Sequence, residues 1–197
     1  MIYQHHFYGI VNSFTFAKII DMKKLKIMEL KRISIDEFKN ADKIPLVVVL
    51  DNVRSLNNIG SIFRTSDAFL VSSIYLCGIT SVPPHPDIHK TALGAEYSVD
   101  WKYFENTSDA VIELKNENYT VFSLEQADKS MMLNDLHLEE SVKYAVILGN
   151  EVKGVEQSVI DLCDGCLEIP QFGTKHSLNV SIAGGIVIWE FFNQLNN

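Results

Sequence analysis

The run Ile44-Pro45-Leu46-Val47-Val48-Val49-Leu50 constrains this chain more than any other feature. It is apolar and rich in β-branched residues, and it lacks the alternation of a strand with one wet face. Such a strand must be covered on both sides, which is the situation of a parallel sheet between two layers of helix. The polar pair Asp51-Asn52 ends it. Beyond it, Ile59, Ile62, Phe63, Phe69 and Leu70 recur at helical spacing, with Ser55, Asn57 or Asn58 available as the cap.

The same rhythm continues along the chain. Strands are predicted over Ser73–Ile79, Tyr119–Leu124, Tyr144–Leu148 and Leu167–Pro170, and helices over Ser108–Lys115 and Val155–Leu162. Val82-Pro83-Pro84-His85-Pro86 cannot be regular, because proline removes amide donors and restricts its neighbours. A last helix carries Leu178, Ile182, Ile186, Trp189 and Phe192 on one spacing and runs to Leu195. Ala183-Gly184-Gly185 in its middle suits close approach of another backbone better than an exposed surface. Alternating strands and helices define an α/β class with a mainly parallel sheet and helices on both faces.

Residues 1–44 stand outside this rhythm and read as a basic N-terminal extension to a domain spanning 45–197. Asp21–Lys31 has the composition of a helix, and Ser34 with Glu37 has the form of a capping box ahead of Phe38. Met22-Lys23-Lys24 reads as a translation start, which makes the first 21 residues a poorly ordered extension.

Three polar segments follow predicted strands, where open α/β sheets place their ligands. The first runs from Asp51 to Thr65, the second from Leu148 to Val155, and the third from Ile169 to Ser181. None is a G-x-G-x-x-G or a G-x-x-x-x-G-K-[ST] turn, which argues against a nicotinamide dehydrogenase, a P-loop ATPase and the common Rossmann methyltransferase.

Together the three resemble the motifs of the SpoU/TrmH family of RNA 2'-O-ribose methyltransferases, in the SPOUT superfamily. Asn58, Gly60, Arg64 and Thr65 match the first motif; Gly149, Glu151 and Gly154 match the second. Ile169-Pro170 with Ser177-Leu178-Asn179-Val180-Ser181 matches the third, and Leu93-Gly94-Ala95 resembles an intervening family segment. The likeness covers roughly residues 45–197. It implies a C-terminal deep trefoil knot forming the cofactor pocket, S-adenosylmethionine as cofactor, a homodimer, and methylation of a ribose 2'-hydroxyl of tRNA or rRNA. Of the two RNAs, tRNA is preferred because a small dimer can cover it; DNA is not expected. The alternatives are a knotted base methyltransferase, a non-catalytic RNA-binding or assembly protein, and an unrelated α/β enzyme.

By the same resemblance the catalytic set is Arg64, Asn58, Glu151, Ser177 and Asn179. Arg64 is expected to stabilise developing alkoxide and grip a phosphate, since a guanidinium stays protonated; the plainer reading pairs it with Asp67. Asn58 holds Arg64 or RNA, or simply caps a helix. Glu151 orients Asn58, or is a surface carboxylate. Ser177 is explained sufficiently as an N-cap, whereas Asn179 places an amide in an apolar helix and is expected to bind Glu151 or hold the loop. Cofactor contacts are expected at Leu148, Gly149, Asn150, Gly154, Ile169, Gln171, Ser177 and Leu178, with Gly173 allowing close passage of the chain.

Other candidates are weaker. His176 touches RNA or merely caps, and Cys163-x-x-Cys166 lacks a second ligand pair, so no metal is expected. His85 and His89 flank the proline loop with little else to bind metal. Trp101, Tyr103 and Phe104 stack on bases, pack, or form a dimer contact.

Charge bears on the partner. The net charge of −8 divides into +3 over residues 1–44 and −11 over 45–197. This disfavours a broad nonspecific polyanion binder and leaves RNA to a local patch, to the basic arm or to a dimer surface. The odd set of three cysteines does not make a disulfide framework. No signal peptide or membrane span is legible, so the cytoplasm is expected.

Overall fold

The computed structural model describes residues 23–196. Seven strands, β1 (Ile44–Asp51), β2 (Val71–Cys77), β3 (Asp100–Phe104), β4 (Tyr119–Leu124), β5 (Met131–Met132), β6 (Lys143–Leu148) and β7 (Gly165–Glu168), form one sheet. Its order is β3-β2-β1-β6-β4-β7-β5, and every pairing is parallel. The helices are α1 (Ile35–Asn40), α2 (Leu56–Ala68), α3 (Pro86–Ala92), α4 (Ala95–Ser98), α5 (Thr107–Asn116), α6 (Gln157–Ile160) and α7 (Val180–Leu195).

The missing alternation in β1 has its cause in two cores. Leu46, Val48 and Leu50 point to one face, where Ile59, Ile62 and Phe63 of α2 and Val187, Ile188 and Phe191 of α7 cover them. Val47 and Val49 point to the other, against Ala110, Val111 and Leu114 of α5 and Val159 of α6. With both faces dry, every position of the strand must be apolar. The expected α/β class with helices on both faces is the observed one.

Several boundaries differ from expectation, each for a local reason. Leu70 has φ 52 and ends α2 before Phe69. The expected Val155–Leu162 helix is confined to α6. The strand expected over Leu167–Pro170 is β7, shifted toward Gly165, where pairing with Phe122 to Leu124 supplies the ladder and proline is avoided. Of the helix expected over Asp21–Lys31, the described residues form only a 3-10 turn at Ile27–Glu29; the reading of residues 1–21 lies outside the described residues.

Ser34 and Glu37 form both halves of the capping box, and Phe38 behind them is buried. The compact unit accordingly begins at Ser34 rather than at the first strand.

Candidate active site

β1 runs outward to β2 and β3 on one side, and β6 separates it from β4 on the other. At the carboxyl ends of β6, β4 and β7 lies a cavity of about 820 Å³, a size suited to a small molecule or cofactor. Leu148, Val155, Ile169, Leu178, Val180 and Ala183 give it apolar walls, and Glu125, Asn150, Glu151, Gln171 and Ser177 are among its polar ones.

The loop after β6 is shaped by its own side chain. Asn150 Oδ1 accepts from the amides of Val152 at 2.9 Å and Lys153 at 3.0 Å, while its Nδ2 donates to the Asn52 carbonyl at 2.7 Å. Asn150 and Gly154 also exchange two backbone hydrogen bonds. The turn is too tight for a side chain at Gly149, whose Cβ would overlap the backbone of Gly154 and Val155.

Glu151 then links this loop to the start of α2. Its Oε2 accepts from Arg54 N, and its Oε1 from Ser55 N and Asn58 Nδ2, each at 3.0 Å. Asn58 in turn accepts, through Oδ1, from Asn179 Nδ2 at 3.1 Å. Asn179 Oδ1 caps α7, accepting from Ser181 N at 2.9 Å and Ile182 N at 3.4 Å. Three segments remote in sequence therefore share one chain of hydrogen bonds. Partial burial would raise the Glu151 pKa, but the amides of Arg54, Glu151 itself and Ser55, with the Asn58 side chain, outweigh it and hold the carboxyl below its usual range.

All eight residues expected at the cofactor, Leu148, Gly149, Asn150, Gly154, Ile169, Gln171, Ser177 and Leu178, line this one cavity. So do Glu151 and Asn179, whereas Asn58 joins through its bonds to both. Arg64 does not line it. It stands exposed on α2, with no hydrogen bond or ion pair among the described residues. The pair with Asp67 is not formed, because Asp67 accepts from Ser98 Oγ of α4 at 2.5 Å.

Two further expectations are corrected. Ser177 is not the cap of α7; Asn179 is, since its amide is fixed from behind by Asn58. Asn179 accordingly binds Asn58 and not Glu151 directly.

The loop after β4 was not singled out from sequence. Glu125 accepts from Val155 N at 3.1 Å, and Gln126 Nε2 donates to the His176 carbonyl at 2.6 Å, so this loop braces the other two. Glu125 and Asp128 face the cavity. Its signal was position alone, at the carboxyl end of a predicted strand, because it contains no glycine.

The weaker candidates have structural partners. Cys163 and Cys166 donate to the carbonyls of Val159 and Glu125, and burial pushes the Cys163 thiol up to about 12, far from a reactive thiolate. His85 caps α3, and His89 Nδ1 lies 2.5 Å from Glu96. Phe104 packs on Tyr75 at 4.9 Å between centroids, and half-exposed Tyr103 donates to the Gly78 carbonyl.

Comparison with known proteins bears on this geometry. A sequence model of the SpoU rRNA Methylase family matches residues 45–189. A protein of Staphylococcus haemolyticus named "Putative TrmH family tRNA/rRNA methyltransferase" is 30% identical over 156 residues, 79% of this chain and 61% of its own length. Its Staphylococcus aureus counterpart is also 30% identical, with 62% of its length covered. The chain thus spans about three fifths of these curated relatives. The AdoMet-bound rRNA methyltransferase of Sinorhizobium meliloti superposes with a TM-score of 0.72 at 27% identity, over 80% of this chain and 60% of that one. A TrmH/SpoU tRNA modifying enzyme of A. aeolicus gives a TM-score of 0.72 over 82% of both chains at 24% identity, a likeness of fold.

Proposed function

The chain belongs to the SpoU rRNA Methylase family, and from that premise we propose that it transfers a methyl group from S-adenosylmethionine to a ribose 2'-hydroxyl of structured RNA, either tRNA or rRNA. The observation that carries this reading is the hydrogen-bonded chain Glu151–Asn58–Asn179, which gathers all three segments beside the cavity.

The cavity's residues suit the cofactor. Leu148, Ile169 and Leu178 offer apolar faces to a purine, Asn150, Gln171 and Ser177 offer polar groups to a ribose or amino acid, and Gly149 lets the loop at the cavity wall close tightly on Gly154 and Val155. When bound, S-adenosylmethionine supplies a methyl on a sulfonium that departs as a neutral thioether.

What remains for the protein is to align a weakly acidic hydroxyl and to ease loss of its proton. Arg64 stays protonated, so its role is to stabilise the developing alkoxide and to grip a phosphate. That its guanidinium is unpaired among the described residues and exposed supports this assignment. Glu151, Asn58 and Asn179 position the segment bearing Ser177.

A homodimer is supported by α7. Ile182, Ile186 and Trp189 expose an apolar strip, and Gly185 between them has open space where a Cβ would stand. Gly184, by contrast, faces inward, where a Cβ would lie 2.8 Å from Leu148. The knotted C-terminal path is proposed with the same family fold, and the bond from Gln126 to His176, which ties segment 170–179 to the loop after β4, supports it. Among the described residues no helix is long and apolar enough to cross a membrane; a cytoplasmic place is proposed from the RNA substrate.

The test is Arg64→Ala. Methyl transfer to RNA should be abolished with S-adenosylmethionine affinity unchanged by calorimetry; loss of cofactor binding instead would contradict the assigned role.

A further inference from the structure

Residues 45–197 carry nine Lys and Arg against twenty Asp and Glu, so a cation that no neighbour neutralises stands out. Lys90 pairs with Asp87, Lys102 with Glu113 and Lys115 with Asp164. Lys143 donates to the Glu117 carbonyl and lies over the Tyr119 ring. The side chains of the remaining five, Arg54, Arg64, Lys129, Lys153 and Lys175, make no hydrogen bond or ion pair among the described residues and are exposed.

Four of these five follow a pattern. Arg54 comes after β1, Lys129 after β4, Lys153 after β6 and Lys175 after β7. Because the strands are all parallel, these four loops lie along one edge of the sheet, the edge that carries the cavity. Of the engaged lysines, Lys90 is on α3, Lys102 within β3, Lys115 near the end of α5 and Lys143 at the opposite end of β6.

The loops are anchored, which lowers the cost of presenting a long side chain. Arg54 N is held by Glu151 at 3.0 Å, Lys153 N by Asn150 at 3.0 Å, and the carbonyl of His176, next to Lys175, by Gln126 at 2.6 Å. The carboxylates on this edge are largely engaged. Glu151 serves the start of α2, Glu125 accepts from Val155 and Gln126, and Glu168 accepts from Ser130. Asp128, Glu156 and, after β3, Glu105 are the acids here without such a bond among the described residues.

We propose that Arg54, Lys129, Lys153 and Lys175 form a phosphate-contacting edge by which this acidic domain holds its substrate RNA. The inference rests on the proposed function only for the identity of the polyanion. It resolves how a body of net charge −11 binds RNA: by local sorting of free cations, each contact releasing counterions, with no general basic surface.

The experiment measures affinity of the full chain for unmodified tRNA transcript as a function of salt. The slope of log Kd against log salt should fall by about 0.7–0.9 for each of Arg54→Gln, Lys129→Gln and Lys175→Gln, and by about 3 when Lys153→Gln is added to all three. Lys102→Gln and Lys115→Gln, which remove ion-paired cations, should leave the slope alone. Arg54→Gln with Lys175→Gln, neither of which lines the cavity, should keep wild-type S-adenosylmethionine binding, which certifies the fold. A quadruple variant with the wild-type slope, or control variants that lower it equally, would overturn the proposal. Wild-type protein that binds RNA but transfers no methyl would overturn the activity reading, whereas the phosphate edge stands or falls on the slopes.

Discussion

Replacing Glu151 by Gln exchanges one oxygen for an NH2 group and leaves the shape of the site unchanged. In the native chain Oε2 serves Arg54 N, and Oε1 serves both Ser55 N and Asn58 Nδ2. A glutamine has one oxygen, so either the Arg54 amide or the other two donors must face its NH2. An unsatisfied donor costs about 1–3 kcal/mol, and bonds to a neutral acceptor lose about 1 kcal/mol against bonds to a charged one. Solvent access to this part-exposed carboxylate relieves some of that, leaving about 1–2 kcal/mol near neutral pH. The dependence on pH follows from the lowered pKa of Glu151. A carboxyl held below its unfolded value contributes stability above the unfolded pKa and loses it as pH falls through the folded one. The gap between wild type and E151Q should therefore be full near pH 7, begin to shrink below about pH 4 and close only in stronger acid, below the lowered folded pKa. Urea unfolding at neutral pH and in that acid measures it as a shift in midpoint at constant slope. A gap under about 0.3 kcal/mol at neutral pH, or one that persists in acid, would refute the bracing role.

Asn179→Asp keeps the oxygen that caps α7 but turns a second oxygen toward Asn58 in place of the Nδ2 donor. Thermal melting should shift by no more than about 1 kcal/mol, since a carboxylate also suits a helix start, while methyl transfer should fall by about 100-fold. Gly149→Ala forces a Cβ into the backbone of Gly154 and Val155; about 1–3 kcal/mol of stability should be lost, and calorimetry should find no cofactor binding. Ile186→Glu places a charge on the exposed strip of α7; sedimentation is expected to show a dimer for wild type and a monomer for the variant, and an unchanged dimer would exclude that face.

The sequence was informative wherever physics left one solution. β1 is buried on both faces, so its pattern needed no partner to be read. The three polar segments could be found one by one, and their order carried the family resemblance. Their connection could not: the amide of Asn58 meets that of Asn179 across 121 residues, while Asn179, not Ser177, takes the Ser181 and Ile182 amides as the cap. β3 was missed for a different reason. Asp100-Trp101-Lys102-Tyr103-Phe104 is an edge strand, mostly exposed, and its charges and aromatics offer no dry face to read. The loop after β4 was overlooked because Glu125 and Gln126 act through backbone groups of other loops, which composition does not encode.

The central claim is tested most directly by following labelled methyl from S-adenosylmethionine into tRNA and, separately, into rRNA lacking modifications, then digesting to nucleosides. A 2'-O-methylated nucleoside from one of the two pools is the predicted result. Label on a base, or no transfer to either pool by protein that binds the cofactor and RNA, would contradict the account.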